Sequence, residues 1–301
     1  MLQKFNPKNA DIIVYVNGEL VHRNEAKVSV FDSVVQGGDA VWEGVRIYKG
    51  AVFMLERHLD RLLESAHAMA FENIPSKNEV KEKLFATLNA NKMYDDVHVR
   101  LTLTRGEKIT SGMDPRLNSK GLNLIVLAEW KPLVYDNTNG IRVITSSIRR
   151  NSPNHIDSKI HHNNLINNIL AKIQANFAKV DAALMLDLNG FAAELNGSNV
   201  FIVKNNVLIT PFADACLHGI TRGFVLELAE QSGISHKEKN ISLTEIYSAD
   251  EAFATGTWGE LTPIKEVDGR ALINKTGSDI LSKINAAFDS KKTNFLTEIP
   301  K

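Results

Sequence analysis

Lys159 stands in the run Asp157-Ser158-Lys159-Ile160-His161-His162, just ahead of a helix-patterned stretch led by Asn163 and Asn164. This is an unusual setting for a solvated lysine. A buried amine gives up its proton readily and then attacks carbonyls, so Lys159 suits Schiff-base chemistry with a carbonyl cofactor; a surface lysine is the other reading. Glu194 opens the run Glu194-Leu195-Asn196-Gly197-Ser198-Asn199-Val200-Phe201, a carboxylate followed by a Gly-Ser turn and an apolar strand. A buried glutamate needs a cationic partner, and a protonated pyridine nitrogen would supply one, whereas a surface Glu beside a turn needs none.

Two further segments are built for an anion. Leu217-His218-Gly219-Ile220-Thr221-Arg222 places a glycine and a threonine at the start of an apolar-faced helix, where backbone N–H groups and the helix dipole attract a phosphate. The alternative is an ordinary Thr-capped helix. Thr255-Gly256-Thr257-Trp258-Gly259 follows a strand pattern, with glycines that permit close backbone approach and hydroxyls that donate, or else it is a plain hairpin turn. Together the two turns suggest one phosphorylated ligand. His155, His161 and His162 carry no metal expectation, because adjacent histidines seldom reach one ion and no cysteine or second carboxylate shares their spacing.

These residues need elements to hold them. Ile12 to Val16 reads as a strand closed by an Asn17-Gly18 turn, and Val52 to Leu55 leads into a helix with Leu59, Leu62, Leu63 and Ala66 at helical spacing. A helix over about 78–91 follows, then strands at Val97 to Leu103 and Leu122 to Leu127. Pro132 and the cluster Asp136-Asn137-Thr138-Asn139-Gly140 place a boundary at 130–135, between an N-terminal α+β domain, 1–129, and a C-terminal α+β domain, 136–301. Beyond it come a strand at Ile141 to Thr145 and a helix with Leu165, Ile169, Ile173 and Phe177 every fourth residue. Strands at Ala182 to Asp187, Asn199 to Val203 and Val207 to Thr210 follow, then a helix near Thr221 to Gln231, strands near Glu251 to Ala254 and Thr262 to Val267, and a closing helix near Ser278 to Phe288.

Composition narrows the partners. The 301 residues carry 35 Lys plus Arg against 35 Asp plus Glu, so no basic stripe is available for nucleic acid or an anionic membrane. Leu122 to Ala128, the most apolar segment, is far shorter than the ~20 residues a bilayer needs. The lone Cys216 and the absence of an apolar leader point to a reducing, cytoplasmic setting. A small substrate or cofactor is the expected ligand.

The motifs, in order, resemble the class-IV, fold-type-IV aminotransferases that use pyridoxal 5'-phosphate, a family with branched-chain and D-amino-acid transaminases and aminodeoxychorismate lyase. The resemblance runs from Val14 to Phe288. It rests on Gly38-Asp39-Ala40-Val41-Trp42-Glu43-Gly44-Val45-Arg46, His58-Leu59-Asp60-Arg61-Leu62, Lys159 with its helix, Glu194 through Phe201, Gly219-Ile220-Thr221-Arg222, and Thr255-Gly256-Thr257 with Glu260-Leu261-Thr262-Pro263. The stretch from Arg149 to Lys172 is most similar to a branch containing plant plastid D-amino-acid transaminases.

The resemblance implies a two-domain α+β enzyme, a homodimer, with the cofactor at the domain interface. It implies a Lys159 Schiff base, Glu194 on the pyridine nitrogen, and a phosphate held by Arg61, Gly219, Ile220, Thr221, Gly256 and Thr257. A ping-pong transaminase acting on D-amino or branched-chain amino acids is the leading expectation; a lyase of the aminodeoxychorismate type and a cofactor-binding protein without turnover are the alternatives. Branched-chain enzymes tend to carry a tyrosine shortly after the lysine and small residues after the phosphate-site threonine, where this chain has Asn164 or Leu165 and Trp258. Gly37, Trp42, Arg46, His98, Arg100 and Trp258 are the pocket candidates, and Arg46, Arg100 and Arg105 each suit a substrate carboxylate.

Overall fold

A computed structural model describes residues 3–300 and divides them into two compact units. The first unit runs from the N-terminal segment through Pro132 and includes Ile160–Asn164 and the C-terminal segment from Phe295; the second holds Leu133–Lys159 and Leu165–Asn294. The expected second-domain block, 136–301, is thus interrupted twice. Both insertions extend the first unit's sheet by backbone hydrogen bonds, as described below.

In the first unit, β1 (Ile13–Val16) and β2 (Glu19–His22) form a hairpin around Asn17 and Gly18, whose φ values of 54° and 87° are the left-handed pair a tight two-residue turn requires. After a short helix α1 (Ser33–Gly37) come β3 (Ala40–Tyr48), β4 (Ala51–Phe53), the helices α2 (Leu55–Ala68) and α3 (Lys77–Asn91), and the strands β5 (Val97–Thr104) and β6 (Asn123–Trp130). Ser76 starts α3 through a capping box with Glu79. Leu55, Leu59, Leu62 and Ala66 of α2, with Val80, Leu84 and Leu88 of α3, are buried in one core with Val45, Ile47, Val99 and Leu101.

β3 is one of the strands the sequence reading passed over. Its odd positions face the core, and Glu43 sits in that row with Val41, Val45 and Ile47, so a carboxylate masks the apolar alternation. The register to β5 pairs Trp42 with Thr102, Gly44 with Arg100 and Arg46 with His98, which gathers the pocket candidates on the opposite face. β6 runs through Trp130, beyond the expected end at Leu127.

The second unit carries β7 (Ile141–Thr145), α4 (Ile166–Phe177), β8 (Ala182–Leu186), β9 (Ala192–Leu195), β10 (Asn199–Lys204), β11 (Val207–Thr210), α5 (Ile220–Gln231), β12 (His236–Glu238), α6 (Leu243–Tyr247), β13 (Glu251–Gly256), β14 (Glu260–Val267), β15 (Arg270–Ala271) and α7 (Ile280–Lys291). Its sheet has the order β12-β11-β10-β13-β14-β7-β8-β9, with β15 on β14; β7 runs parallel to β14 and to β8, and β11 parallel to β12. The last strand, β16 (Leu296–Glu298), pairs with β4, giving the first unit the antiparallel order β16-β4-β3-β5-β6-β1-β2.

α4 departs from expectation in two ways. It starts at Ile166 rather than near Asn163, because Ile160–Asn164 is drawn into the first unit by Trp42 N–H donating to the His161 carbonyl and Asn163 N–H to that of Ala40. Its sheet-facing residues are the alanines Ala171 and Ala175, packed with Ala183 and Met185. The larger Ile166, Ile169, Leu170, Ile173 and Phe177 lie outward, Phe177 84% exposed.

Candidate functional site

Glu194 lies on β9, a strand the sequence reading left unassigned just ahead of the Gly197-Ser198 turn, opposite Met185 of β8 and only 5% exposed. Its cationic neighbour is Arg150, which motif reading missed: Nε stands 2.8 Å from Oε1, although the N–H is not aimed along a hydrogen bond. Arg150 is fixed in turn by its backbone N–H on the Leu186 carbonyl and by Nη1 on Asn168 Oδ1 at 2.9 Å. Asn199 Nδ2 donates to Glu194 Oε2 at 3.2 Å and to the Leu217 carbonyl at 2.9 Å, tying the carboxylate to the loop before α5.

Gly219 ends that loop, where any side chain would have to displace Asn199. A Cβ would come to 1.9 Å from Asn199 Oδ1. Gly219 is also the N-cap of α5 and no side chain caps the helix, so the Thr-capped alternative fails: Thr221 lies inside the first turn and is buried. The leading amides of a twelve-residue helix are left to serve an anion. Cys216, beside this group, has its thiol pushed up to about 12, by burial first and by Glu194 next, so it stays protonated.

Thr255 and Gly256 belong to β13 rather than to the turn after it. Thr255 pairs with Asn199 across the sheet, and Gly256 lies against Ser198, where an added Cβ would meet the Ser198 Cβ at 3.5 Å. The hydroxyls of Ser198 and Thr255 are buried without a hydrogen-bond partner, two donors prepared for a ligand. Thr257 and Trp258 form the turn into β14, and the Trp258 carbonyl accepts from the Val134 N–H.

Of the two readings open for Lys159, a buried amine and a surface lysine, full burial is not found: its side chain is 40% exposed and Nζ lies 3.6 Å from Asp157 Oδ1, which also accepts the Lys159 backbone N–H at 2.9 Å.

In the first unit, Arg61 reaches Glu43 with Nε at 2.7 Å and Nη2 at 2.9 Å. The Trp42 ring lies against His161, centroids 4.1 Å apart and tilted by 40°, and carries the Arg100 guanidinium 3.8 Å above it, while Arg100 Nη2 donates to Asn163 Oδ1 at 3.0 Å. Burial lowers Arg100 to about 10, still a cation at neutral pH. His98 is pushed down to about 3, by burial first and then by Lys131, Arg46 and Arg100, so it is neutral. Gly37 ends α1 and is exposed.

Two carboxylate-binding candidates are corrected. Arg46 is buried, donates to the Lys131 carbonyl at 2.6 Å and pairs with Asp96 at 3.3 Å; Arg105 spans Asp39, the carbonyls of Met69 and Ala70, and the Phe71 ring. Both are held by protein groups, as Arg100 is by Asn163 and the Trp42 ring. Among the described residues no group of His, Cys, Asp or Glu is placed to hold a metal, and no helix is long and apolar enough to cross a membrane.

Known proteins share this fold. The family model of amino-transferase class IV matches residues 40–267, and the chain belongs to that family. The branched-chain-amino-acid aminotransferase-like protein 2 of Arabidopsis thaliana is 58% identical over 88% of the chain, which spans 48% of that relative, about half its length. A putative branched-chain-amino-acid aminotransferase of Methanocaldococcus jannaschii is 41% identical, with 93% and 96% of the two chains covered. Among solved structures, the branched-chain aminotransferase of the thermophilic archaeon Thermoproteus uzoniensis with norvaline superposes with a TM-score of 0.86 at 30% identity, covering 96% of this chain and 100% of its own. The two-unit α+β fold is the fold-type-IV fold, and the cofactor of the family is pyridoxal 5'-phosphate.

Proposed function

We propose that the chain is a pyridoxal 5'-phosphate-dependent transaminase that moves an amino group between an amino acid and a 2-oxo acid by a ping-pong exchange. The observation that carries this is the buried Glu194, held by Asn199 beside a helix start at Gly219 where a side chain would displace Asn199. The residues fit the cofactor: Glu194 for the pyridine nitrogen, the amides of Ile220 and Thr221 with Gly219, Gly256, Thr257 and Arg61 for the phosphate, and Lys159 for the aldehyde. Bound there, pyridoxal phosphate supplies an electron sink for negative charge at the substrate Cα. Lys159 Nζ takes that Cα proton and returns it, and its exposure leaves it room to swing. Trp42, Trp258 and Arg100 are the residues we propose for the substrate, Arg100 for its carboxylate.

Branched-chain or D-amino acids are the donor classes, the first supported by the names of the relatives. Lys159→Ala is expected to abolish both the visible absorbance of the bound cofactor and turnover; full activity in that variant sinks the mechanism. D-alanine, D-aspartate, L-leucine and L-glutamate, added separately to loaded protein, separate the donors by which of them bleaches that absorbance. Pyruvate release from aminodeoxychorismate without an amino acceptor is the signature of the lyase alternative. We assign the outward apolar face of α4 to a second copy of the chain in a homodimer. A reducing, cytoplasmic compartment suits the buried free thiol of Cys216.

A further inference from the structure

Glu43 has no task in the reading above, yet it is fully buried in the core-facing row of β3. A carboxylate among Val41, Val45 and Ile47 persists only when its oxygens are paired. Four contacts pair them. Arg61 Nε reaches Oε1 at 2.7 Å and Arg61 Nη2 reaches Oε2 at 2.9 Å, a two-point fork; His58 Nδ1 stands 2.7 Å from Oε2 and His161 Nδ1 2.9 Å from Oε1. Burial alone raises the Glu43 carboxyl, but the Arg61 charge and the His161 and His58 contacts outweigh it and hold the group well below the usual range. Burial lowers both histidines, His161 to about 4, so at neutral pH each is uncharged and donates its Nδ1–H. The cluster balances one anion against one cation. It is braced from outside, since the His161 N–H donates to Ser65 Oγ at 3.0 Å and its ring lies against Trp42.

We propose that Glu43 is a positioning residue for cofactor binding: its carboxylate holds the Arg61 guanidinium in the orientation that receives the phosphate, and His161 locks that carboxylate in place. The proposal rests on the assignment of Arg61 to the phosphate. A flexible arginine must be ordered when the phosphate arrives, whereas one already forked to Glu43 is preorganised. Glu43→Gln offers one acceptor oxygen instead of two and turns an amide donor toward other donors, so the arm loses its fixed direction.

The test titrates apoprotein with pyridoxal 5'-phosphate and with pyridoxal, which lacks the phosphate, and reads the ratio of the two affinities. Glu43→Gln and His161→Leu are each expected to lower that ratio by roughly tenfold, the weight of ordering one rotamer-rich side chain. His161→Asn, whose amide N–H stands in for Nδ1–H, is expected to keep the wild-type ratio. If Glu43→Gln fails to fold, the two His161 variants decide. An unchanged ratio, an equal loss of both ligands as from a purely structural role, or a rising ratio as from a carboxylate that merely competes with the phosphate, each overturns the proposal. Wild-type protein that takes up no pyridoxal phosphate refutes the underlying assignment as well, whereas wild-type binding with unchanged ratios in the variants refutes the positioning role alone.

Discussion

At the scale of single residues, the site divides into groups that carry charge and groups that make room for them. Glu194 is the first kind. Its burial, and its place between Arg150 and Asn199, hold the carboxylate in one position, and in the proposed reading it would keep a bound pyridine nitrogen protonated. Glu194→Gln preserves shape and removes that charge, so kcat is expected to fall on the order of 10²-fold with the cofactor retained, the usual weight of one preorganised electrostatic contact. A steady-state assay beside a cofactor absorbance spectrum checks this, and an unchanged kcat removes Glu194 from the role. Gly219 is the second kind. The Cβ of Gly219→Ala would land on Asn199 Oδ1, so Asn199 must leave Glu194 or the loop must shift, at about 1–3 kcal/mol of stability. Thermal unfolding of the apoprotein reads that cost, and a cofactor titration should show weaker binding; wild-type values in both would mean that the loop moves without resistance.

At the scale of elements, α4 shows why a correct helix assignment leaves its orientation open. The four-residue spacing of Ile169, Ile173 and Phe177 marks a helix, and a helix forms. The large residues would ordinarily face the core. Here the sheet approaches so closely that only Ala171 and Ala175 fit against Ala183 and Met185, and the isoleucines are left outside. Ala175→Leu should therefore cost about 1–3 kcal/mol by overpacking. Ile169→Glu should leave the monomer folded and break the self-association assigned to this face. Sedimentation of the two proteins at micromolar concentration checks the second expectation; a wild-type monomer, or a dimer unmoved by the substitution, rejects the assignment.

At the scale of the whole molecule, three histidines shielded from water tie stability to pH. His98 is lowered to about 3, His161 to about 4, and His58 is lowered as well, in each case by burial first. An unfolded chain takes up these protons near pH 6.5, whereas the folded chain resists until far more acidic pH, so below pH 6.5 the unfolded state binds more protons and stability falls with acid. Each group contributes up to about 1.4 kcal/mol per pH unit across its own window. Glu43 acts at lower pH: its depressed folded value gives stability that is present above the ordinary carboxylate range and lost progressively as pH falls from that range toward the depressed value. Urea unfolding at pH 6.5, 5.5 and 4.5 is expected to show falling stability, less steep in His161→Asn; a flat profile to pH 4.5 contradicts the burial argument.

The chemistry-bearing motifs were legible in the chain because they are local: a lysine before a helix, a carboxylate before a Gly-Ser turn, a glycine at a helix start, and most strands and helices with their approximate ends. Their order along the chain is what marked the family. What only tertiary structure decided are matters of distance between remote residues. The pairing of β3 with β5 set Arg100 above Trp42 and consumed Arg46, while Arg105 was spent on Asp39. Glu194 found its cation in Arg150, forty-four positions earlier, and Glu43 entered a core face where no apolar alternation announces it. Short-range periodicity records how a segment coils or extends, but which buried charge meets which partner is settled when sheets close and exclude water, and that energy is not written in any one segment.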